Sequence, residues 1–169
     1  IDELAREIDS DYATSDGLVA VGVLKGAVFF MVELLQRLTT RVEMDFFQTS
    51  SYSGTSRGEV RILQDVTLSI KDRDVLLIED IVDTGYTLRT VLGLLRYRGA
   101  RSVKLAALLD KAEAREVDVP IDYRGFETDG QGRLRRDPAR DRRIVAEALR
   151  AAGVYLEPRR EAFDLDGYV

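Results

Sequence analysis

The amino-acid sequence predicts an α/β domain built on a parallel sheet with helices packed against it. Three observations carry that expectation. Continuous apolar runs lie at residues 18–24 and 75–78, and residues 103–109, apolar but for Lys104, read as a third strand of the same kind, the signature of strands buried on both faces. Stretches of helical length lie between them, with apolar residues three and four positions apart. The alternation of short buried strands with such helices is the pattern of a parallel sheet.

The elements follow in order. Residues 2–12 read as an amphipathic helix, with Leu4, Ile8 and Tyr12 one turn apart, and Asp16-Gly17 breaks it. The strand at 18–24 ends at Lys25-Gly26, and residues 27–38 have the length and apolar spacing of a helix. Residues 42–49 read as a strand. The polar stretch 50–58, punctuated by Gly54 and Gly58, reads as a mobile loop, and residues 60–63 and 65–68 as the two arms of a small hairpin. The strand at 75–78 ends at Glu79-Asp80. Residues 86–98 form a helix with Leu88, Val91, Leu92 and Leu95 on one face and Gly99 as its stop signal. After Phe126 the character changes. Asp129-Gly130-Gln131-Gly132 is turn-like, residues 133–143 are arginine-rich, and a helix follows with Asp137 as N-cap, Pro138 in its first turn and Gly153 beyond its end. Its arginines alternate with Asp137, Asp141 and Glu147, the pattern of a solvated face on a packing helix. The chain thus divides into a core, residues 1–127, and an atypical C-terminal segment, residues 128–169.

Composition narrows the chemistry. The 169 residues, 45% apolar and 33% charged, suit one globular domain with a sizeable core. A net charge of −5 argues against a nucleic-acid-binding surface over the whole molecule. The sequence has no cysteine and no histidine, which removes disulfides, thiolate or imidazole metal sites and histidine-based triads. Acid–base work falls to carboxylates, lysines or tyrosines, and any metal is expected to be a hard cation on oxygen ligands, magnesium first. No run is long enough to span a bilayer and no signal peptide is visible, so no membrane partner is expected and the expected location is cytoplasmic. The sequence opens on Ile1 rather than Met, which leads us to expect that something upstream is missing.

The most informative stretch is Glu79-Asp80-Ile81-Val82-Asp83-Thr84-Gly85-Tyr86-Thr87. A buried strand runs into two carboxylates, then a short loop, then a helix. Ligands of parallel sheets bind beyond the carboxyl ends of the strands. A helix N-terminus presents unpaired N–H groups and partial positive charge, suited to a phosphate monoester. Gly85 lets the backbone approach closely, and Thr84 and Thr87 add hydroxyl donors. Glu79 and Asp80 have the wrong charge for phosphate but suit sugar hydroxyls and magnesium. Phosphate donors beside hydroxyl acceptors imply a phosphorylated sugar.

This stretch resembles the ribose-phosphate loop of type I phosphoribosyltransferases, and Asp83 is the variant of the hypoxanthine-guanine branch. Three more segments agree in order. Val23-Leu24-Lys25-Gly26 resembles the pyrophosphate loop, in which an unusual peptide bond turns a backbone N–H toward the diphosphate. Ser51-Tyr52 resembles the flexible catalytic loop. Leu108-Leu109-Asp110-Lys111 resembles the strand end whose lysine donates to the purine 6-oxo group, and Arg115 matches an arginine that meets pyrophosphate. The resemblance runs from about Leu4 to Glu127 and includes Asp122-Tyr123-Arg124-Gly125-Phe126-Glu127. Beyond it, the family's hood, with its V-G-Y-x-L-D-Y segment, is not matched. Phe163-Asp164-Leu165-Asp166-Gly167-Tyr168-Val169 is the nearest fragment and is a different motif.

The resemblance implies purine salvage. The 5-phosphoribosyl group of phosphoribosyl pyrophosphate is transferred to hypoxanthine or guanine, giving IMP or GMP and pyrophosphate. It implies Mg²⁺ as cofactor, with Glu79 and Asp80 at the ribose and metal, and Asp83 as the acid–base group at purine N7. Asp83, Thr84, Gly85, Tyr86 and Thr87 would form the 5′-phosphate loop, Lys25, Gly26 and Arg115 would take the pyrophosphate, and Lys111 the base. It also implies a homodimer or homotetramer. The C-terminal segment is expected to fold over the purine pocket and to supply a stacking ring, from Phe126, Tyr155, Phe163 or Tyr168. Two other readings stand beside this one: a nucleotide- and RNA-binding regulator on the same fold, with arginines 133–143 on RNA phosphates, and an enzyme of altered base specificity. The retained Asp83 and Lys111 weigh against a pure regulator.

Overall fold

The computed structural model of the chain describes residues 1–51 and 60–128. In chain order the elements are α1 (Asp2–Asp11), β1 (Leu18–Leu24), α2 (Val28–Leu35), β2 (Val42–Ser51), β3 (Val60–Gln64), β4 (Asp74–Val82), α3 (Tyr86–Tyr97), β5 (Ser102–Asp110) and β6 (Tyr123–Glu127). Among the described residues six strands form one sheet in the order β3-β2-β1-β4-β5-β6. The pairs β1–β2, β1–β4, β4–β5 and β5–β6 are parallel. The chain moves outward from β1 in one direction and from β4 in the other, so the order reverses between these two strands. Crevices at such reversals are where open α/β sheets bind ligands.

Alternation along the central strands explains the layers. Leu18 and Ala20 of β1, Leu76 and Ile78 of β4, and Ala106 and Leu108 of β5 pack with Leu4, Ile8, Phe30, Met31 and Leu34 of α1 and α2. Their neighbours Val19, Val21, Val75, Leu77, Leu105 and Ala107 pack on the other face against Leu88, Val91, Leu92 and Leu95 of α3. A strand covered on both faces has no polar side to show, so its sequence is a continuous apolar run. Each fully buried Leu, Ile or Val contributes about 1.5–3 kcal/mol from leaving water. Among the described residues no helix is long and apolar enough to cross a membrane.

The expected parallel sheet flanked by helices forms, with one antiparallel strand, β3, added at its edge beside β2. Three details are corrected. The small hairpin of 60–63 with 65–68 does not form. Val60–Gln64 pairs with β2, while the Asp45 carboxylate takes the Thr67 N–H at 2.6 Å and the Leu68 N–H at 2.8 Å. Those donors are committed to a side chain and cannot join a ladder. The central strand does not end at Glu79-Asp80. β4 continues to Val82, with Glu79 opposite Ala107 and Val82 opposite Asp110, so the two carboxylates sit inside the last turn of pairing. The helix expected at 27–38 is also shorter, ending at Leu35. The arginine-rich stretch, the helix after Pro138 and the boundary of a C-terminal hood lie outside the described residues, apart from Thr128.

Candidate active site

The carboxyl ends of β1, β4 and β5 bring the expected residues to one rim of the sheet. After β1 the chain passes through Lys25 and Gly26, both exposed, into α2. The Leu24–Lys25 peptide bond is cis, the unusual bond expected there. Gly26 lies directly against β4: a Cβ on it would overlap the Asp80 carboxylate. The pyrophosphate-type loop and the acid pair are therefore in contact, although 54 positions separate Gly26 from Asp80 (80 minus 26).

The acid pair itself is unusual. Glu79 Oε2 is enclosed and has no hydrogen-bond partner among the described residues. Burial pushes the Glu79 carboxyl well above its usual range, and the Asp80 carboxylate, together with a hydrogen bond between the two, pushes it further. Two adjacent acids that cannot both ionise comfortably are suited to a cation or to a pair of hydroxyls. Among the described residues no cluster of three or more acidic side chains is placed to hold a metal. A metal here would share its coordination with substrate oxygens and water, the usual habit of magnesium.

The phosphate-type loop follows. Gly85 has φ +95° and caps α3, which has no side-chain cap hydrogen bond and no acid in its first turn. The first N–H groups of α3, at Tyr86, Thr87 and Leu88, thus face outward without a side-chain acceptor, the arrangement that binds anions. Tyr86 directs its hydroxyl away, donating to Glu116 Oε2 at 3.2 Å, so its contribution at the loop is its backbone N–H.

The loop is held from behind by residues 115–117. Thr84 carbonyl accepts the N–H of Glu116 at 3.0 Å and of Val117 at 2.9 Å. Arg115 donates from Nε to the Asp83 carbonyl at 2.8 Å and from Nη2 to the Val82 carbonyl at 3.2 Å, and it is also ion-paired to Asp110. Arg115 therefore faces the underside of the loop, with Nη1 outside these bonds. Lys111, directly after β5, is half-buried and donates its backbone N–H to the Val82 carbonyl at 2.9 Å.

Of the expected residues, Glu79, Asp80, Asp83, Thr84, Gly85, Tyr86, Thr87, Lys25, Gly26, Lys111 and Arg115 all come to this rim. Ser51 is the last residue of β2, and Tyr52 lies outside the described residues. Phe126 is not available to stack on a base: it is buried in the core beside Leu108 and Tyr123. The other stacking candidates, Tyr155, Phe163 and Tyr168, lie outside the described residues. Asp110, which has no part in the expected site, closes β5. Its trace in the sequence is an acid directly after the apolar residues 105–109, because a buried carboxylate needs partners. A cleft at the opposite end of the sheet, lined by Asp11, Tyr12, Asp74, Arg101 and Lys104, has these charges already paired with one another.

Comparison with known proteins gives a consistent picture. Residues 1–133 match the phosphoribosyl transferase domain family. The chain is 53% identical over 123 residues to a hypoxanthine-guanine phosphoribosyltransferase of Streptococcus agalactiae, covering 72% of this chain and 68% of that protein. It is 52% identical over 128 residues to the bifunctional protein TilS/HprT of Listeria monocytogenes, covering 75% of this chain and 20% of that protein. The chain thus spans about a fifth of the length of these bifunctional relatives. Among solved structures it is similar to the hypoxanthine phosphoribosyltransferase of Trypanosoma cruzi in complex with the product IMP. That match has a TM-score of 0.71 and 37% identity, and covers 76% of this chain and 74% of that one.

Proposed function

The chain belongs to the phosphoribosyl transferase domain family, and from that premise we propose that it is a purine salvage enzyme of the hypoxanthine-guanine type. It would transfer the 5-phosphoribosyl group of phosphoribosyl pyrophosphate to N9 of hypoxanthine or guanine. The observation that carries this reading is the rim itself. An uncapped helix N-terminus with Gly85 at φ +95° follows an acid pair that touches the Lys25-Gly26 loop. A 5′-phosphate, a ribose diol and a diphosphate are spaced along one substrate in the same order.

In this proposal the C1′–O bond to pyrophosphate breaks as the N9–C1′ bond forms, with oxocarbenium character developing at C1′. The purine proton passes to the Asp83 carboxylate as general base. The backbone N–H groups of Gly85 and of the first turn of α3, residues 86–88, and the hydroxyls of Thr84 and Thr87 hold the 5′-phosphate. Lys25, the backbone at Gly26 and Arg115, whose Nη1 lies outside the bonds that brace the loop, hold the diphosphate. The Lys111 ammonium donates to the 6-oxo group and so favours 6-oxopurines over adenine, whose 6-amino group is itself a donor. Glu79 and Asp80 take the ribose hydroxyls and would hold magnesium; the Glu79 oxygen that has no hydrogen-bond partner among the described residues and the all-oxygen donor set fit that ion. When bound, magnesium supplies positive charge against the leaving diphosphate. Ser51 and Tyr52 close over the reaction and exclude water. Residues 128–169 serve as the hood, and a homodimer or homotetramer in the cytoplasm completes the proposal.

The test is turnover of phosphoribosyl pyrophosphate with hypoxanthine, guanine, xanthine and adenine, each followed by nucleotide formation. Hypoxanthine or guanine should react and adenine should not. No turnover with any 6-oxopurine would overturn the proposal, and tight RNA binding in its place would favour a regulator.

A further inference from the structure

We infer that Asp110 is a positioning residue, which holds Arg115 so that the base-reading Lys111 and the phosphate loop keep a fixed relation. The inference rests on the transfer reaction proposed above. Asp110 closes β5 and is 2% exposed. Its two carboxylate oxygens are divided between two arginines. One is paired with Arg115, and the other meets Arg124 Nε at 2.9 Å.

Arg115 passes the restraint on. Its Nε and Nη2 donate to the carbonyls of Asp83 and Val82. The Val82 carbonyl also accepts the Lys111 N–H. One peptide oxygen at the end of β4 is therefore shared by the residue that would read the base and the residue that braces the phosphate loop. Displacing it moves both. A guanidinium suits this task because its planar fork holds two carbonyls and a carboxylate in one fixed geometry, whereas an ammonium presents its three donors from a single atom. The carboxylate of Asp110 fixes the fork's orientation and offsets its buried charge.

Arg124 provides the contrast. It shares the same carboxylate, but it sits on β6, its side chain is 45% exposed, and its other partner is Glu127. No bond from it to the loop is present among the described residues. The two arginines thus separate support of the loop from simple neutralisation of Asp110.

The experiment uses the full chain and the variants Asp110→Asn, Arg115→Gln, Arg115→Lys and Arg124→Gln, each checked for cooperative thermal unfolding. Ligand-free amide exchange is read at Glu116 and Val117, whose N–H groups bond the Thr84 carbonyl. IMP affinity is read by calorimetry, and kcat and KM with hypoxanthine by turnover. Asp110→Asn and Arg115→Gln should speed exchange at both amides and raise the IMP Kd about 10- to 100-fold, the scale of one or two lost charge-assisted hydrogen bonds. They should lower kcat as well, because Asp83 moves with the loop. Arg124→Gln should leave exchange and IMP affinity at wild type. Arg115→Lys keeps the buried pair with Asp110, so it should recover thermal stability while IMP affinity stays weakened. Wild-type IMP affinity in Arg115→Gln, equal losses in Arg124→Gln, or recovery of both stability and affinity in Arg115→Lys would each overturn the inference. The exchange rates decide the brace without any ligand, and wild-type turnover separately decides the reaction on which its role rests.

Discussion

Gly85→Ala tests the phosphate loop at its tightest point. The residue has φ +95°, a conformation that costs a non-glycine residue about 1–2 kcal/mol. A new Cβ would also lie 2.5 Å from the Val117 carbonyl oxygen, 3.0 Å from Val119 Cγ2 and 3.1 Å from Arg115 Cδ. The first neighbour is backbone, and it belongs to the same segment that bonds Thr84, so it cannot retreat alone. Overpacking of this kind typically costs about 1–3 kcal/mol. The sum, roughly 2–5 kcal/mol, corresponds to a fall in Tm of about 4–20 °C for a chain of this size. If the strain is instead relieved by moving the loop, the N–H groups of α3 leave the phosphate. IMP affinity then falls about tenfold or more, the scale of one hydrogen bond to a charged group. Thermal unfolding and calorimetric titration with IMP together cover both routes. A Gly85→Ala protein with wild-type Tm and wild-type IMP affinity would refute the reasoning.

Four further outcomes are expected. Asp83→Asn should cut turnover of hypoxanthine by about 10²–10⁴-fold while phosphoribosyl pyrophosphate affinity stays near wild type; a wild-type rate removes Asp83 from proton transfer. Thr84→Val and Thr87→Val should each weaken IMP binding by about 1.5–3 kcal/mol with little change in Tm, and unchanged affinity in both moves the phosphate site elsewhere. Hydrogen bonds from Arg101, and then from the hydroxyls of Ser102 and Ser15, hold the Asp74 carboxyl well below its usual range against burial. A depressed folded-state pKa gives stability that is complete above the unfolded value of about 3.9 and is lost as the pH falls toward the folded one. The stability gap between wild type and Asp74→Asn should therefore be constant near neutrality and narrow below about pH 4; a gap unchanged down to pH 2 counts against it. A chain ending at Glu127, shown to be folded, should lose base affinity much more than phosphoribosyl pyrophosphate affinity, and equal losses mean that residues 128–169 do not cover the purine.

Much of the fold was legible because burial on two faces leaves a plain trace. β1 was bounded from sequence at Leu18 and Leu24, where it also begins and ends in space, and the apolar face of α3 was read residue by residue. Edge elements left weaker traces. β3 is exposed along most of its length, with Ile62 at 41% and Leu63 at 51%, so its apolar residues do not mark a core face. Its partner β2 lies across the stretch 52–59, and a local hairpin with 65–68 accounted for the same alternation. What excludes that hairpin is a single side chain, Asp45, more than 20 positions from the donors it captures. Periodicity carries no record of such a bond.

The same distinction separates the two halves of the candidate site. Its outward-facing half is legible because each proposed task demands a residue type: glycine where φ is positive and a Cβ would strike Val117, carboxylates for the proposed sugar hydroxyls, a helix start for the proposed phosphate. The inward-facing half was not. Arg115 acts on the carbonyls of Val82 and Asp83, and every residue has a carbonyl, so nothing at positions 82 and 83 announces that an arginine will arrive there. Lys111 and Arg115 four positions apart look like an ordinary charged surface. Only Asp110 could have given the brace away. An acid closing a run of buried aliphatic residues is stable there only with compensating charge. In this chain the nearest cation downstream other than Lys111 is Arg115. The buried acid therefore predicts that Arg115 turns inward, and an arginine turned inward at the end of β5 meets the carbonyls that close β4.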